Sequence, residues 1–190
     1  MKRAILIACL AVISIDISAQ SYQLTPEGLV TPDKKEYIVV DVPNTKATEL
    51  YKILEKDLSS IFPPAKTTFY KNTDGRIIIT TAALDLFRMN AGLMLQYIMD
   101  IEYTIIIDVK DYKFRITPII NLIGTCTNFR ISRMVIYDNP KNHKDFTKKQ
   151  FIFNYKNRAI QNEKAKTAIE KHINEVVSKI INIKSHNEDW

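Results

Sequence analysis

The chain has 190 residues, a net charge of +6 and a hydrophobic fraction of 46%. This length suits one domain with a packed core, and the mild positive charge does not by itself indicate nucleic-acid binding. Because the chain contains only four glycines, we do not expect a glycine-rich phosphate-binding loop.

Residues 1–19 have the features of a secretory signal peptide. A basic start is followed by an uncharged apolar run from Ala4 to Ile15, and a small residue, Ala19, precedes Gln20. The apolar run is too short for a permanent membrane anchor. We therefore predict cleavage after Ala19 and localisation of the exported protein in the periplasm or cell envelope.

The two cysteines bear on anchoring and on covalent stability. Leu6-Ile7-Ala8-Cys9 spells a lipoprotein-like motif, which would leave the protein lipid-anchored through Cys9. We favour the interpretation that Cys9 belongs to the signal peptide, because the apolar run continues beyond it. The mature chain then keeps a single cysteine, Cys126, and its stability must come from a packed core.

Two segments open the mature chain. Residues 20–35 contain prolines and charged residues without periodicity, which is typical of a flexible leader. The β-branched run from Glu36 to Val42 stops at Pro43 and predicts the first strand. A single domain is therefore expected to span residues 36–184.

An amphipathic helix is predicted next. Apolar residues recur at helical spacing from Ala47 to Ile61, and charged residues lie mostly on the other face. Asn44 or Thr45 is the expected N-cap. The pair Pro63-Pro64 ends the helix, because proline lacks the amide hydrogen that a helix needs.

Antiparallel strands fill the centre of the chain. The predicted strands are residues 67–71, residues 76–83, the two halves of a central hairpin at 101–122, and residues 128–137. An Asp74-Gly75 turn and a Lys110-Asp111 corner join the paired strands. Residues 88–99 fit neither the strand nor the helix period, so we expect a connection that bulges or forms a short helix. Residues 138–149 predict a lysine-rich surface loop.

A long amphipathic helix from about Arg158 to Ile183 closes the predicted fold. Its apolar residues recur at helical spacing and must face the sheet, while its other face is charged. Residues 185–190 are expected to form a frayed tail. The order of strand, helix, four or more antiparallel strands and long helix predicts an α+β fold with helices packed on one face of the sheet.

Several segments resemble a known family. They are the signal peptide ending in Ala-Gln, Val42–Tyr51, Asp74–Ile78 and Tyr103–Arg115. Together they resemble domain of unknown function 4468, a family of exported Bacteroidetes proteins with a TBP-like fold, over residues 36–120. Tyr112 stands where that family usually has glycine. The resemblance implies a curved sheet with helices on one face, and it implies no functional residues because the family has no established activity.

The sequence contains no evident catalytic, metal-binding or cofactor-binding constellation. The three histidines, which lie far apart in sequence, are His143, His172 and His186. Asp100 and Glu102 lie on one face of a predicted strand and form the candidate carboxylate pair, with His172 as a third candidate. We interpret the carboxylates as solvated strand charges, because no apolar residues bracket them to raise either pKa, and His172 as a boundary residue.

Met89, Met94 and Met99, with Tyr97 between them, form the candidate binding surface. Methionine side chains are flexible and apolar, and they adapt to different partners. The favoured alternative is that they fill the core, because buried methionine is more common than exposed methionine patches.

We predict an exported, non-enzymatic binding or interaction module without a cofactor. Its expected partner is a protein, a peptide or an envelope ligand and not nucleic acid, because the lysine-rich loop 138–149 is typical of a solvated basic loop. Two alternatives stay open: a periplasmic enzyme with a site assembled from scattered polar residues, and a structural component of an envelope assembly. A ligand would lie between the sheet and the last helix, or on the open sheet face.

Overall fold

The computed structural model of the protein describes residues 21–62, 67–72, 74–90, 96–127, 130–139, 141 and 150–183. The predicted signal peptide, most of the lysine-rich loop and the predicted tail lie outside the described residues. The strands are β1 (Gln23–Thr25), β2 (Gly28–Val30), β3 (Ile38–Asp41), β4 (Thr67–Asn72), β5 (Arg76–Asn90), β6 (Gln96–Lys110), β7 (Lys113–Thr127) and β8 (Arg130–Met134), and the helices are α1 (Ala47–Ile61) and α2 (Glu163–Asn182). Neither helix is long and apolar enough to form a membrane span.

Six strands form one antiparallel sheet. Their order is β3-β7-β6-β5-β4, and β8 pairs with the far end of β7. The hairpin of β6 and β7 lies at the centre of the sheet, as predicted for residues 101–122, and its turn is Asp111-Tyr112, one residue later than the predicted Lys110-Asp111 corner. β3 pairs with the first residues of β7, so that the first and the central segments of the domain meet in one sheet.

Both helices pack on the same face of this sheet. α1 contacts α2 and β6, and α2 contacts β5. Every second residue of β6 from Met99 to Val109 is buried under the helices, because side chains alternate between the two faces of a strand. The apolar stripe of α2 supplies the facing side chains Ala165, Ile169, Ile173, Val176, Val177 and Ile180. The predicted α+β architecture with helices on one face is therefore confirmed.

Residues 88–90 and 96–99 extend the sheet where a connection was predicted for residues 88–99, and residues 91–95 lie outside the described residues. β5 continues to Asn90 and β6 begins at Gln96, with Met89 opposite Tyr97 and Phe87 opposite Met99. The pairing register shifts between Ala83 and Phe87, so a bulge interrupts β5 before its last residues. That bulge changes which residues face the core, and this hid the strand period in the sequence.

The predicted flexible leader was wrong, because residues 21–35 are part of the fold. β1 and β2 form a hairpin whose neighbour Tyr22 is 1% exposed. The side-chain amide of Asn174 accepts a hydrogen bond from the Tyr22 amide at 2.7 Å and donates one to the Tyr22 carbonyl at 2.9 Å. Leu24 donates from its amide to Glu170 at 2.7 Å. Two side chains of α2 therefore bind the hairpin through its backbone.

The N-terminus of α1 is capped from a distant turn and not by Asn44 or Thr45. The helix begins at Ala47, whose amide donates to the Asp111 carboxylate at 2.8 Å, and Lys46 pairs with the same carboxylate at 3.2 Å. The helix ends at Ile61, just before Pro63-Pro64, as predicted. α2 begins at Glu163, later than the predicted Arg158, because the side chain of Asn162 accepts from the amide of Ala165 and caps it there.

We expect Asp111→Ala to lower the thermal midpoint of unfolding at neutral pH, because α1 loses the acceptor for its first free amide. Asp111→Asn keeps an oxygen acceptor and should retain most of the midpoint. Differential scanning fluorimetry of the three proteins measures the effect. Equal midpoints for Asp111→Ala and the wild type would show that this cap does not stabilise the helix.

The same carboxylate makes the effect dependent on pH. The hydrogen bond from the Ala47 amide, together with the Lys46 ammonium, holds the pKa of Asp111 below its usual value. A group whose folded pKa is lowered stabilises the fold above its unfolded pKa, about 3.9, and loses that contribution as the pH falls through the folded pKa. The difference between wild type and Asp111→Ala should therefore shrink below about pH 4.

Candidate functional site

The face of the sheet opposite the helices is the candidate functional site, and we call it the open face. Its described side chains are Val39 of β3, Arg76, Ile78 and Thr80 of β5, Glu102, Thr104, Ile106 and Asp108 of β6, and Arg115, Thr117, Ile119 and Leu122 of β7. Val39, Ile119 and Leu122 expose 40%, 43% and 45% of their surface. Among the described elements, neither helix lies over this face.

The centre of the open face is a network of uncharged polar side chains. The Thr80 and Thr104 hydroxyls are 2.9 Å apart, and Asn121 donates from its amide to the Thr104 hydroxyl at 2.8 Å. Asn121 lies at a bulge of β7, where the register shifts by one residue. Ile119 of β7 lies directly opposite Thr104 of β6. The centre therefore presents hydroxyl, amide and apolar groups, and the Glu102 carboxylate lies beside it, 3.5 Å from the Asn121 amide nitrogen.

A charged cluster marks the hairpin end of the open face. Asp108 lies between two arginines on the neighbouring strands, with Arg76 Nε at 2.6 Å from Oδ1 and Arg115 Nη2 at 2.5 Å from Oδ2. Partial burial opposes ionisation of Asp108, but the hydrogen bonds and charges of the two guanidinium groups hold its pKa below the usual range. The guanidinium of Arg115 also lies 5.2 Å from the centroid of the Tyr37 ring.

A shallow groove adjoins the other end of the open face. Its volume is about 340 Å³, and its walls are residues 120–123 of β7 and residues 133–137. β3 pairs with β7 from Lys113 to Ile116, and β8 pairs with β7 from Ile123 onward. In the described strands, the outer edge of β7 therefore lacks a strand partner between these two points, and the groove opens there. Most of the lining side chains are apolar.

The methionine segment lies in and near the core. Met99 is completely buried, Met89 is 8% exposed and Tyr97 is half-buried against the core. Met94 lies outside the described residues. Because Met89 and Met99 pack under the sheet, their side chains do not present an apolar surface to a partner, which agrees with the core-filling alternative.

The three candidate catalytic residues do not converge. Asp100 accepts a hydrogen bond from the Asp85 amide at 2.8 Å, beside the β5 bulge, and Glu102 lies on the open face near Asn121. His172 is on the helix side, where its Nε2 lies 3.2 Å from the Tyr103 hydroxyl. Side chains alternate between the two faces of β6, so Tyr103 points to the helix side and its neighbour Glu102 to the open face. The sheet therefore separates His172 from both carboxylates.

Burial explains the protonation of the His172 and Tyr103 pair. Burial raises the pKa of Tyr103 to about 12. It also lowers the pKa of His172, with Lys179 acting in the same direction and Glu175 opposing it. Both groups are therefore neutral near pH 7, and their edge-on rings, 5.3 Å apart, belong to the packing of α2 on the sheet.

The described residues contain no group of three histidine, cysteine or acidic side chains that could hold a metal ion. His143 and His186 lie outside the described ranges. The cluster of Arg76, Asp108 and Arg115 was not predicted from the sequence. The signal was present, because all three lie on strands with alternating patterns, but their contact depends on the register between three strands.

Comparisons with known proteins agree with this fold. Residues 37–118 match a family described as "Domain of unknown function (DUF4468) with TBP-like fold". No curated protein matches the sequence. The crystal structure of a TBP-like protein from Parabacteroides distasonis is similar, with a TM-score of 0.53 and 12% identity over 80% of this chain and 92% of that chain.

A second solved structure is a DUF4468 family protein from Bacteroides ovatus. It has a TM-score of 0.49 and 8% identity, and the similarity covers 81% of this chain and 87% of that chain. At such low identities the likeness to the Parabacteroides distasonis structure shows the fold alone. The matched segment contains β3, α1, β4, β5, β6 and the first six residues of β7, and it overlaps the residues that carry the resemblance in the sequence. Residues 37–118 therefore match the DUF4468 family with TBP-like fold.

Proposed function

We propose that the protein is an exported, non-enzymatic module that binds a protein, peptide or envelope ligand on the open face. The observation that carries this proposal is the exposure of Val39, Ile119 and Leu122 by 40–45% on one face of the sheet. A sheet face that meets only water usually carries polar residues. Exposed apolar side chains on such a face favour an interaction surface.

The proposed export rests on the basic and apolar sequence of residues 1–19. The non-enzymatic role is supported by the geometry of the three candidate catalytic residues. Asp100 and Glu102 lie on the opposite side of the sheet from His172. Neither carboxylate is within hydrogen-bond reach of the imidazole, which direct proton transfer would require. A role as a component of an envelope assembly would use the same surface, and the identity of the captured partner distinguishes it from ligand carriage.

Capture experiments with matched variants test the proposal. The mature protein, residues 20–190, is used to capture partners from its own cell envelope, and proteins and small molecules are identified by mass spectrometry. Ile119→Lys places a charge on the open face, whereas Ile160→Lys alters a residue outside the sheet with a similar exposure, 45% against 43%. We expect Ile119→Lys to reduce recovery of the specific partner about tenfold, corresponding to about 1.4 kcal/mol of binding free energy, and Ile160→Lys to leave it unchanged.

Two outcomes would contradict the proposal. One is equal recovery of every partner by the two variants, which would place binding elsewhere on the molecule. The other is the absence of any reproducible partner from the wild-type protein. Circular dichroism of both variants establishes that each is folded before capture.

A further inference from the structure

We propose that Arg76 and Arg115 form a subsite for an oxyanion, a phosphate or carboxylate group, at the hairpin end of the open face. This inference rests on the proposed function, since it takes the open face as the binding surface. It adds the chemical class of group that the ligand must carry and the side chains that bind it. Asp108 acts in the subsite as a positioning residue.

The first argument is the geometry of the two guanidinium groups. They belong to β5 and β7, and Asp108 of β6 lies between them. Arg76 uses its Nε at 2.6 Å, and Arg115 uses its Nε at 3.1 Å and its Nη2 at 2.5 Å. One carboxylate therefore holds both planar groups on the same face of the sheet. Each guanidinium has further N–H donors beyond those that bind Asp108, and the proposed ligand contacts these donors.

The second argument is the relative exposure of the charges. The side chains of Arg76 and Arg115 are each 45% exposed, whereas that of Asp108 is 17% exposed. A ligand that approaches this end of the sheet thus meets cationic groups before it meets the carboxylate. Lys110 and Lys113 are exposed and form the last pair of the hairpin, two residues beyond Asp108 and Arg115, and Asp41 lies opposite Lys113.

The third argument concerns the shape of the donors. A guanidinium group presents parallel N–H bonds that match the two oxygens of a carboxylate or phosphate. The Tyr37 ring, 5.2 Å from the Arg115 guanidinium, restricts the orientation of that group. Two oriented guanidiniums on strands that flank a third can contact different oxygens of one anion.

The adjoining surface narrows the class of ligand. The next residues along the strands are Ile78, Ile106 and Thr117, followed by Thr80, Thr104 and Ile119, and none of them carries a charge. A ligand that fits both regions has an anionic group attached to an uncharged body. That body carries apolar groups that pack on the isoleucines and polar groups that form hydrogen bonds with the threonine hydroxyls. The competing explanation is that the cluster is only a cross-strand ion pair that stabilises the sheet, and this explanation predicts no anion binding.

Titration of the mature protein with inorganic phosphate tests the subsite. Arginine side-chain resonances are followed by NMR at constant ionic strength, with sodium acetate and sodium chloride as parallel titrants. We expect saturable shifts of the Arg76 and Arg115 resonances, with a dissociation constant on the order of millimolar for phosphate. Saturation by phosphate alone assigns a phosphoryl group to the ligand, and saturation by both phosphate and acetate assigns a general oxyanion site.

Matched variants distinguish the subsite from general electrostatics. Arg76→Gln and Arg115→Gln should each weaken phosphate binding about tenfold, because each removes charge-assisted hydrogen bonds. Arg88→Gln is the control, since Arg88 is also an exposed arginine of β5, and it should leave the dissociation constant unchanged. Linear shifts without saturation, equal saturation by chloride, or equal weakening by Arg88→Gln would overturn the proposal. Failure here with continued loss of the captured partner in Ile119→Lys would reject the subsite and retain the proposed function.

Discussion

Replacement of Tyr22 by alanine is expected to lower the free energy of unfolding by about 3–5 kcal/mol, the range for removal of a large buried aromatic side chain. Tyr22 is 1% exposed, so its removal leaves a cavity between the N-terminal hairpin and the sheet. Its hydroxyl also donates to the Ile116 carbonyl at 2.8 Å. Urea denaturation of residues 20–190, followed by circular dichroism, measures the loss.

Tyr22→Phe separates the hydroxyl from the ring. This variant keeps the packing and removes the hydroxyl that donates to the Ile116 carbonyl, which should cost about 1–3 kcal/mol. Asn174→Ala removes the two hydrogen bonds to the Tyr22 backbone and should act in the same direction. If the free energy of unfolding of Tyr22→Ala is within about 0.5 kcal/mol of the wild-type value, the Tyr22 side chain contributes little stability and the first prediction fails.

The N-terminal hairpin shows where sequence patterns give too little information. Its strands have three residues each, so no period can be recognised, and its prolines and charges resemble those of a linker. The groups that hold it are Glu170 and Asn174, 146 and 152 residues further along the chain. Local composition describes the backbone preferences of residues 21–35, but tertiary hydrogen bonds determine their place in the fold.

Long periodic elements were predictable for the opposite reason. The β6–β7 hairpin and the stripe of α2 each repeat one burial pattern over many residues, so the period alone identifies the buried face. The cap of α1 could not be predicted from local sequence, because it is Asp111, 64 residues away from Ala47. Tyr112 in the same turn has φ of +66°, a conformation that favours glycine, which gives a physical reason for the glycine usual in the family.

The open face was only partly predictable from the sequence. Phe114 and Ile116 are buried and Arg115 is exposed, in agreement with the alternating sequence of β7, whereas Tyr112 lies in the preceding turn and is 46% exposed. The contact of Asp108 with Arg76 and Arg115 depends on the pairing register of three strands. The sequence pattern of a single strand does not determine that register. The bulges at Ala83–Phe87 and near Asn121 add further shifts that a regular alternation does not contain.

The methionine segment provides the second large expected effect. Met99→Ala should lower the free energy of unfolding by about 2–5 kcal/mol, because Met99 is fully buried and alanine would leave a cavity under the helices. Met99→Leu nearly conserves the volume and should cost less than about 1.5 kcal/mol. Urea denaturation of the two variants beside the wild type gives both values.

Capture of the envelope partner by Met99→Leu then separates core packing from a direct role in binding. A side chain without exposed surface contacts no partner in the folded protein, so this folded variant should recover the partner as well as the wild type does. Ile119→Lys, whose substitution lies on the open face, should lose the partner while its stability changes little, because an exposed substitution outside special contacts usually shifts stability by less than about 0.5 kcal/mol. A stable Met99→Leu protein that fails to recover the partner would instead place the interaction at the methionine segment and require Met99 to leave the core on binding.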